Sequence, residues 1–307
     1  MTKLTAEFLF DDLTPAEHAR AERVESVLAE LRAHAEEADA SGRFYEPHRE
    51  TLAKAGLLGL VIPEEYGGLG GNLRDLAAAT FAMGTACPST ALAYFFHCST
   101  SSRGLLALDA IEEGKFTDEE IPAVKTFAEN VLHRMGTKNQ LLGNFASETA
   151  KSSQSAVFIS TEAEKVDGGW KLNGVKSFGC NTGVADAYLV AAKLKGYDTA
   201  EGLVMFFVPR EAEGVKERPQ WDALGMRATA SHGIILENVF VPDDESLAIP
   251  GAFVKLMQSS RGSLMGNQPA ISAIYLGAAK QAYDYALEKT MSMKFEDTGK
   301  PIATSAF

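Results

Sequence analysis

The chain has 307 residues, of which 46% are hydrophobic and 23% are charged, as expected for about two globular domains with substantial cores. Its formal net charge is -12 and it contains no block of Lys and Arg, which excludes nucleic acid as an expected partner. The first residues lack the segments of a signal peptide, and no run approaches the ~18 apolar residues of a membrane span. We therefore expect a cytoplasmic protein without a membrane span.

The cysteines and histidines follow no disulfide or metal pattern. The 3 cysteines, Cys87, Cys98 and Cys180, are too few and too scattered for a disulfide framework or a zinc site. The 6 histidines never occur at ligand spacing, so no metal site is expected. The glycine fingerprint of a dinucleotide-binding fold and the Gly-x-Ser-x-Gly of an esterase are also absent from the sequence.

The pattern of residues 1–140 predicts a helical domain. Thr14, Pro15 and Glu17 form a capping-box pattern that starts a helix, and Gly42 is a plausible stop signal. The apolar residues that follow at i, i+3, i+4 and i+7 are Val24, Val27, Leu28 and Leu31. Further helices are predicted over residues 47–56, 76–83 and 91–106.

Residues 141–247 change to a period of two, which predicts a small antiparallel β domain. The candidate strands are rich in Val, Ile, Phe and Tyr and cover residues 156–161, 170–172, 187–194, 203–208 and 233–241. Asp167-Gly168 and Asn173-Gly174 lie among these runs, and both dipeptides predict tight hairpin turns.

Residues 248–307 return to a helical pattern, which predicts the start of a C-terminal helical domain. A long helix rich in Ala, Leu and Met is expected over residues 263–289, followed by a turn at residues 299–302. A lone helix with an apolar face is marginal in water. We therefore expect this helix to pack against partners, either further residues of the chain or other subunits.

Four motifs in chain order resemble acyl-CoA dehydrogenases. The Ile-Pro-Glu-Glu-Tyr-Gly-Gly segment at residues 62–68 resembles the loop that follows the first helical hairpin of that family. The other three motifs resemble its flavin-facing hairpin, its last β-strand and the turn after its long helix; they occupy residues 171–186, 224–242 and 299–302. The resemblance extends over about 240 residues. Each motif alone is common, but four of them in the family's order form a specific signal.

The resemblance implies an α+β multidomain fold with an N-terminal helical domain (1–140), a β-barrel-like flavin-facing domain (141–247) and the start of a C-terminal helical bundle (248–307). It also implies FAD as the cofactor and an acyl-CoA or related small molecule as the substrate. In that family a carboxylate takes the α proton while a hydride passes from Cβ to FAD N5. An electron acceptor flavoprotein or a reductase would be a partner, and the subunits would form a homo-oligomer, either a dimer or a tetramer.

Five residues stand at flavin positions of the family, namely Phe145, Ser147, Phe178, Cys180 and Lys289. Phe178 replaces an aromatic residue that covers one face of the flavin ring, although it also suits the core of a strand. Cys180 replaces a hydroxyl that reaches toward the flavin, and a thiol donates only weakly. Phe145 and Ser147 match the start of a second flavin strand, with Ser147 facing the pyrimidine or lying in a surface turn. Lys289 is the nearest match to a basic residue that packs on a neighbouring subunit's FAD.

The resemblance also implies a substrate pocket formed by Phe95, Phe96, Cys98, Ser260 and Arg261. The first three belong to an aromatic, apolar segment, which indicates a small or aromatic acyl group. His97 in the same segment is more often a hydrogen-bonded core residue than a catalyst. Ser260 and Arg261 open the long helix, where the family lines its thioester pocket.

Two departures from the family pattern bear on the reaction. Dehydrogenases usually have Pro-Gly-x-Gly-Ser next to the CoA pyrophosphate, whereas residues 149–155 contain no glycine, which puts the CoA ester in doubt. One of the two family positions for the catalytic base is Ser260, whose hydroxyl cannot serve as that base unaided. The catalytic residue is therefore unknown, and we expect the natural protein to continue beyond Phe307 and supply it there.

Three functions remain open on the sequence alone. The leading hypothesis is an FAD-dependent acyl-CoA dehydrogenase, for which bound yellow FAD would be the sign. The alternative is a two-component flavin monooxygenase of the same fold, which binds loose reduced flavin and activates O2; the lost glycines, Phe178 and Cys180 favour it. The third is a catalytically silent paralogue that serves as a binding subunit and never binds flavin.

Overall fold

Helices form both ends of the chain and a β-sheet lies between them in the computed structural model, which describes residues 3–149, 159–259 and 263–304. The α-helices are α1 (Pro15–Ala33), α2 (Ala35–Ser41), α3 (Pro47–Lys54), α4 (Leu73–Ala86), α5 (Pro88–Glu112), α6 (Ile121–Met135), α7 (Ala252–Ser259) and α8 (Ser263–Ser292). The strands are β1 (Leu142–Phe145), β2 (Glu162–Val166), β3 (Gly169–Lys176), β4 (Ala187–Leu194), β5 (Leu203–Pro209), β6 (Val215–Arg218), β7 (Gly233–Pro242) and β8 (Ser246–Leu247). This order confirms the predicted fold class.

The predicted start and apolar face of the first helix are confirmed. The Glu17 amide donates to the Thr14 hydroxyl at 3.3 Å, and the Thr14 amide donates to the Glu17 carboxylate at 2.8 Å, so two groups at the helix start are paired. The four predicted apolar side chains are all buried: Val24, Val27, Leu28 and Leu31. Gly42 ends α2 with a φ of 63°, a conformation that glycine adopts without strain.

Helix α6 is absent from the helices predicted above, although the sequence carries its signal. Val124, Phe127, Ala128 and Val131 recur at i, i+3, i+4 and i+7, and all four are buried. They pack in one cluster with the β-sheet residues Leu189 and Phe207. Helix α6 therefore joins the helical layer to one face of the sheet.

The sheet has the strand order β6-β7-β3-β2-β4-β5-β8, with β1 beside β4. Among the described residues, every strand pair is antiparallel except β1–β4 and β2–β4, which are parallel. The prediction of a purely antiparallel domain is wrong at these two pairs. The alternation of polar and apolar residues does not encode strand direction, since parallel and antiparallel strands share the same period of two.

One of the two predicted hairpin turns forms and the other does not. Asp167-Gly168 joins β2 to β3, with Gly168 at a φ of 70°. Asn173-Gly174 instead lies inside β3, at an irregularity in its pairing with β7. A β-carbon on Gly174 would overlap the side chain of Thr161, so this glycine allows a close approach of two backbone segments.

The first predicted strand, residues 156–161, is only partly testable, because residues 156–158 lie outside the described part of the chain. Residues 159–161 are not in a strand, and β2 begins one residue later at Glu162. The Thr161 carbonyl nevertheless accepts from the Lys193 amide at 2.8 Å, which continues the line of the sheet.

Helix α8 is buried over one part of its length and exposed over another. Ala270, Ala273 and Ile274 pack against α4, whereas every residue from 281 to 289 is exposed. The exposed large side chains of the helix and its C-terminal turn are Tyr275, Leu276, Tyr283, Tyr285, Leu287, Met291 and Met293. The expected uncovered apolar surface is therefore present, and it is most continuous over residues 281–289. None of the helices in the described ranges is long and apolar enough to cross a membrane.

The helical domain and the sheet are fixed to each other by the carboxylate of Asp186. It accepts from Arg49 Nη2 at 2.6 Å to each oxygen and from the Leu141 amide at 2.8 Å. These contacts join α3 to the start of β1 and to the segment that precedes β4. The cleft described next lies between the two units that this contact holds together.

Candidate flavin cleft

An open cleft of about 400 Å³ lies where α5 and α8 face the segments that flank β3 and β7. Its lining residues are Leu92, Phe96, Phe178, Cys180, Trp221, Gly225, Met226, Ser231 and Tyr275. The walls are largely aromatic and apolar, and the described lining residues include no carboxylate and no basic side chain. The polar side-chain groups of the lining residues are the Cys180 thiol, the hydroxyls of Ser231 and Tyr275, and the Trp221 indole N–H.

Phe178 presents its ring to this cleft because of an unusual backbone conformation. Its φ is 60° and its side chain is 54% exposed, although the two residues before it, Lys176 at the end of β3 and Ser177, are buried. The next residue, Gly179, leaves no space for a β-carbon, because the ring of Phe145 occupies that position. Phe145 is itself fully buried in the core of the sheet. The buried ring thus supports the backbone beneath the exposed one.

Backbone strain is concentrated on both sides of the cleft. Phe178, Asn181, Met226 and Ala230 all have a positive φ, between 47° and 66°, which costs free energy for residues other than glycine. Three backbone hydrogen bonds join the two strained segments: Gly179 N–His232 O at 3.0 Å, Asn181 N–Thr229 O at 3.1 Å and Thr182 N–Ala230 O at 3.2 Å. The two walls therefore form one rigid unit.

Cys180 and Ser231 form the polar part of the wall. Their Sγ and Oγ atoms are 3.0 Å apart, and Ser231 Oγ lies 2.7 Å from Thr229 Oγ1. Burial raises the pKa of the Cys180 thiol to about 11, while the contact with Ser231 acts in the opposite direction. The sulfur is therefore a protonated thiol at neutral pH and not a reactive thiolate.

A buried ion pair holds the backbone behind Phe178. Lys176 Nζ lies 2.7 Å from Glu148 Oε1, and both side chains are almost completely buried. Burial would raise the pKa of Glu148, but the charge of Lys176 and hydrogen bonds from Lys176, Ser160 and Thr161 outweigh it and lower the pKa to about 2. The Ser177 amide, next to Lys176, donates to the Ser147 carbonyl at 3.0 Å, so the pair fixes both predicted flavin segments.

His97 lies in the core between the helical domain and the sheet. It is fully buried, its Nε2 is 2.8 Å from the Leu58 carbonyl oxygen, and its Nδ1 accepts from the Leu142 amide at 2.9 Å. Both ring nitrogens are therefore engaged by backbone groups, in the neutral form that carries its hydrogen on Nε2. Burial lowers its pKa to about 4, against weaker opposing effects of Leu58 and Asp186.

The buried His97 predicts a loss of stability at mildly acid pH. Its pKa falls from 6.5 in the unfolded chain to about 4 in the folded one, so only the unfolded state gains a proton as the pH drops below 6.5. The free energy of unfolding is expected to fall by up to about 3 kcal/mol between these two values. Urea titrations from pH 7 to pH 5 measure this slope. His97→Gln keeps a donor and an acceptor but cannot take up a proton. Its free energy of unfolding should therefore depend less steeply on pH, by the equivalent of up to one bound proton. An identical slope in both proteins would contradict the assignment.

The remaining predicted site residues lie in different places. Phe96 lines the cleft, whereas Phe95 and Cys98 are buried in the core of the helical domain, where burial raises the pKa of Cys98 to about 12. Ser147 is exposed. Lys289 lies in the exposed part of α8, with its Nζ 5.4 Å from the centre of the Tyr285 ring. Ser260 and Arg261 lie outside the described residues.

Several lining residues were missed by the sequence reasoning. Trp221 precedes the motif at residues 224–242, Ser231 lies inside that motif but was not identified as a site residue, and Leu92 and Tyr275 lie one helical turn or more from the predicted pocket residues. The Trp221 indole N–H donates to the Met226 carbonyl at 3.0 Å, which folds this loop over the cleft. The motif identified the loop, but only the path of its backbone in the structure places Trp221 and Ser231 at the wall of the cleft.

The cleft suits a flat aromatic cofactor better than a metal. The aromatic rings of Phe96, Phe178, Trp221 and Tyr275 offer apolar contact surface, and Gly225 has open space where a side chain would stand. No group of three or more His, Cys, Asp or Glu residues within the described ranges could hold a metal ion. The residues present therefore fit the ring system of a flavin.

Comparisons with known proteins agree with this geometry. Residues 14–115 match the N-terminal domain of acyl-CoA dehydrogenase, and residues 144–239 match its middle domain. The dibenzothiophene monooxygenase of Mycolicibacterium goodii is 30% identical over 290 residues, which cover 92% of this chain and 66% of that protein. The cyclohex-1-ene-1-carbonyl-CoA dehydrogenase of Syntrophus aciditrophicus (strain SB) is 29% identical over 295 residues, covering 95% and 66%.

A solved structure of KijD3 in complex with FMN and a dTDP-linked amino sugar is 27% identical, with a TM-score of 0.73, and the match covers 95% of this chain and 67% of that one. The chain spans 59–66% of the length of the curated relatives that it matches first. Both matched domains occur in their family order and on the elements described above. The chain belongs to the acyl-CoA dehydrogenase family.

Proposed function

We propose that the protein is a flavin-dependent monooxygenase that oxygenates an apolar, largely aromatic small molecule in the cleft. The observation that carries this proposal is the chemistry of the wall, whose described residues are largely aromatic and apolar and offer the kind of surface that an aromatic small molecule packs against.

A bound reduced flavin would supply two electrons to O2, so that one oxygen atom enters the substrate and the other leaves as water. The chain's own residues would hold the reactants and exclude solvent. Phe178 would cover one face of the flavin ring, and Phe96, Trp221 and Tyr275 would supply the apolar surface for flavin and substrate. The strained, hydrogen-bonded segments at Phe178 and Met226 would keep these surfaces fixed.

The similarities support a monooxygenase. Dibenzothiophene monooxygenase is among the relatives with the highest identity, and the KijD3 structure contains FMN. Residues 149–155 also lack the glycines that approach the CoA pyrophosphate in dehydrogenases. A reductase that delivers reduced flavin would then be the partner, and either FMN or FAD could serve.

Dehydrogenation of an acyl-CoA with FAD is the second candidate, favoured by the family motifs and by the similarity to a cyclohexene-carbonyl-CoA dehydrogenase. In this reaction Ser147 and Cys180 would contact the flavin, Lys289 would contact the FAD of a neighbouring subunit, and Ser260 and Arg261 would open the thioester pocket. This candidate requires a carboxylate base that none of the described cleft residues supplies.

One experiment separates the two reactions. The protein is mixed anaerobically with reduced FMN or FAD, exposed to O2 with a panel of aromatic sulfur and nitrogen heterocycles, and the products are analysed for an added oxygen from ¹⁸O2. The same protein is assayed with a panel of acyl-CoA esters and an artificial electron acceptor. Incorporated ¹⁸O supports the proposal. Reduction of the acceptor by an acyl-CoA without oxygen incorporation would replace it with dehydrogenation.

Replacing Phe178 by Ala is expected to weaken flavin binding about threefold to tenfold, because one ring face loses its aromatic cover. The visible spectrum of the bound flavin should shift, while the free energy of unfolding stays within about 0.5 kcal/mol because the side chain is exposed. Phe240→Ala is the matched control, since Phe240 is an equally exposed phenylalanine on a strand away from the cleft. Unchanged flavin retention and spectrum in Phe178→Ala would remove this residue from the site.

A further inference from the structure

A thin partition separates the flavin cleft from a second cavity of about 190 Å³. Successive residues of the partition line opposite spaces: Ser231 lines the cleft, whereas Ala230 and His232 line the second cavity. The same alternation occurs in the loop that follows β6, where Pro219 lines the second cavity and Trp221 lines the cleft. A side chain in the second cavity can therefore act on the cleft through the backbone of the partition.

His232 connects both walls of the cleft, although it does not line the cleft itself. Its Nδ1 lies 3.2 Å from the Gln220 amide nitrogen and 3.0 Å from the Trp221 amide nitrogen. Its carbonyl oxygen accepts from the Gly179 amide at 3.0 Å. The ring thus holds the loop that carries Trp221, while the backbone of the same residue holds the segment that follows Phe178.

The protonation state of the His232 ring follows from its two partners. A backbone amide can only donate, so Nδ1 must present a lone pair and the single ring hydrogen must be on Nε2. A proton on Nδ1 would face the hydrogens of both amides, and each amide would lose its acceptor. The contact between the ring and the loop therefore exists only while His232 is neutral.

Charged side chains of both signs lie around the ring. Those that border the second cavity are Arg43, Glu46 and Glu217. On the neighbouring elements, Arg218 of β6 donates to the Ser177 hydroxyl at 3.1 Å, and Asp222 lies 3.7 Å from Arg227. His232 is half-buried at the second cavity, so a proton can reach its ring from there.

The surroundings of His232 favour the neutral ring. Burial lowers its pKa from the usual 6.5, Arg43 adds to this effect and Glu217 opposes it. If the loop detaches, the ring regains a pKa near 6.5, so the detached form takes up a proton at a higher pH than the attached form does. The attached loop is therefore fully favoured above this value and progressively less favoured as the pH falls below it.

We propose that neutral His232 is a positioning residue of the flavin cleft, which holds Trp221 at the wall, and that protonation of its ring detaches this loop and weakens the binding of flavin. This inference rests on the proposed function, which gives Trp221 a ligand to contact. It adds a residue outside the cleft on which the shape of the cleft depends, and a pH below which that shape is lost.

The test measures two quantities between pH 7.5 and pH 5, namely the dissociation constant of FMN and the fluorescence emission of Trp221. Trp170→Phe removes the other of the 2 tryptophans and serves as the reference protein, so its emission reports Trp221 without any ligand. As the pH falls, FMN binding by this protein should weaken about threefold to tenfold. Its emission should shift to longer wavelength, because the detached loop exposes the indole to water.

Two substitutions of His232 in the reference protein separate its roles. His232→Asn places an amide oxygen near the position of Nδ1 and cannot take up a proton. At pH 7.5 it should bind FMN within about threefold of the reference, and its emission should not shift with pH. His232→Leu leaves both loop amides without an acceptor, so at pH 7.5 it should already show the weak binding and the shifted emission of the reference at pH 5.

His133→Asn is the matched control, because His133 is also a half-buried histidine, but it lies on α6 and its Nδ1 contacts the Thr137 hydroxyl at 3.2 Å. It should keep the pH dependence of the reference protein. Ionisation of the FMN phosphate affects all these proteins alike, so the differences between them report on His232.

The same pH dependence of binding and emission in the reference protein and in His232→Asn would overturn this inference and leave the proposed function standing. Reference-like binding and emission of His232→Leu at pH 7.5 would overturn it as well. If none of these proteins binds FMN, the proposed function is wrong, and the emission of Trp221 alone decides whether the loop depends on His232.

Discussion

Lys176→Met is expected to lower the free energy of unfolding by about 3–5 kcal/mol, because it leaves the Glu148 carboxylate buried without its counter-charge. Both side chains are almost completely buried, and the carboxylate also accepts from the amides and hydroxyls of Ser160 and Thr161. The carboxylate is therefore charged in the folded protein. Once Lys176 is gone, the hydrogen bonds from Ser160 and Thr161 do not replace the lost positive charge. Urea or guanidinium denaturation followed by circular dichroism measures the loss.

The control is Lys195→Met, which breaks an ion pair of nearly the same length, 2.8 Å to Glu164, on the exposed face of the sheet. It should cost no more than about 1 kcal/mol, since exposed pairs are well solvated without each other. Adding Glu148→Gln to Lys176→Met should recover part of the lost stability, because the buried charge is removed. Similar losses in Lys176→Met and Lys195→Met would show that the buried pair does not stabilise the fold in this way.

The second large effect is expected at the crossing of α4 and α8, where two glycines let the helix backbones touch. A β-carbon on Gly277 would overlap the Phe81 carbonyl oxygen, and one on Gly84 would lie 2.5 Å from the Ile274 carbonyl oxygen. Thr80 Oγ1 also donates across the crossing to the Ala270 carbonyl at 2.8 Å. The obstacles are backbone atoms, so they cannot rotate away as the end of a side chain would.

Gly277→Ala should therefore destabilise the protein by about 1–3 kcal/mol, although alanine is favoured over glycine in a helix by about 1 kcal/mol. The helices must move apart, and since Tyr275 on α8 lines the cleft, flavin binding should weaken as well. Thermal and chemical denaturation measure the first effect, and flavin titration the second. Gln281→Ala, at an exposed position of the same helix, is the control and should change neither. A stabilised Gly277→Ala protein would mean that propensity outweighs the close contact and would contradict this packing.

Much of the helical and strand structure could be predicted from the sequence because each signal is local. The capping box at Thr14 and Glu17 needs only residues three apart, and the period of two in residues 187–194 and 203–208 needs only the alternation of buried positions. The turn at Asp167-Gly168 forms for the same reason. Family motifs likewise identified the loop at residues 224–229 before its position was known.

The Asn173-Gly174 pair marks where local signals are insufficient. The dipeptide has the conformational freedom of a hairpin turn. It lies in a strand instead, because its neighbours pair with β7 and Thr161 packs directly against Gly174. The parallel pairing of β4 with β1 and β2 has no local signal either, because strand direction depends on how the chain returns to the sheet.

The sequence by itself determined the helical or β class of the three regions of the chain and the family, since capping, periodicity and motif order are properties of neighbouring residues. Only the tertiary structure decided which side chains form the cleft. Phe145 and Phe178 are both aromatic residues at flavin positions, yet one lies in the core and the other in the cleft, because Gly179 fits over the first ring and a positive φ turns the second outward. Ser231 and Cys180 are brought together in the wall of the cleft by backbone hydrogen bonds between segments about 50 residues apart, a separation that no local pattern can bridge.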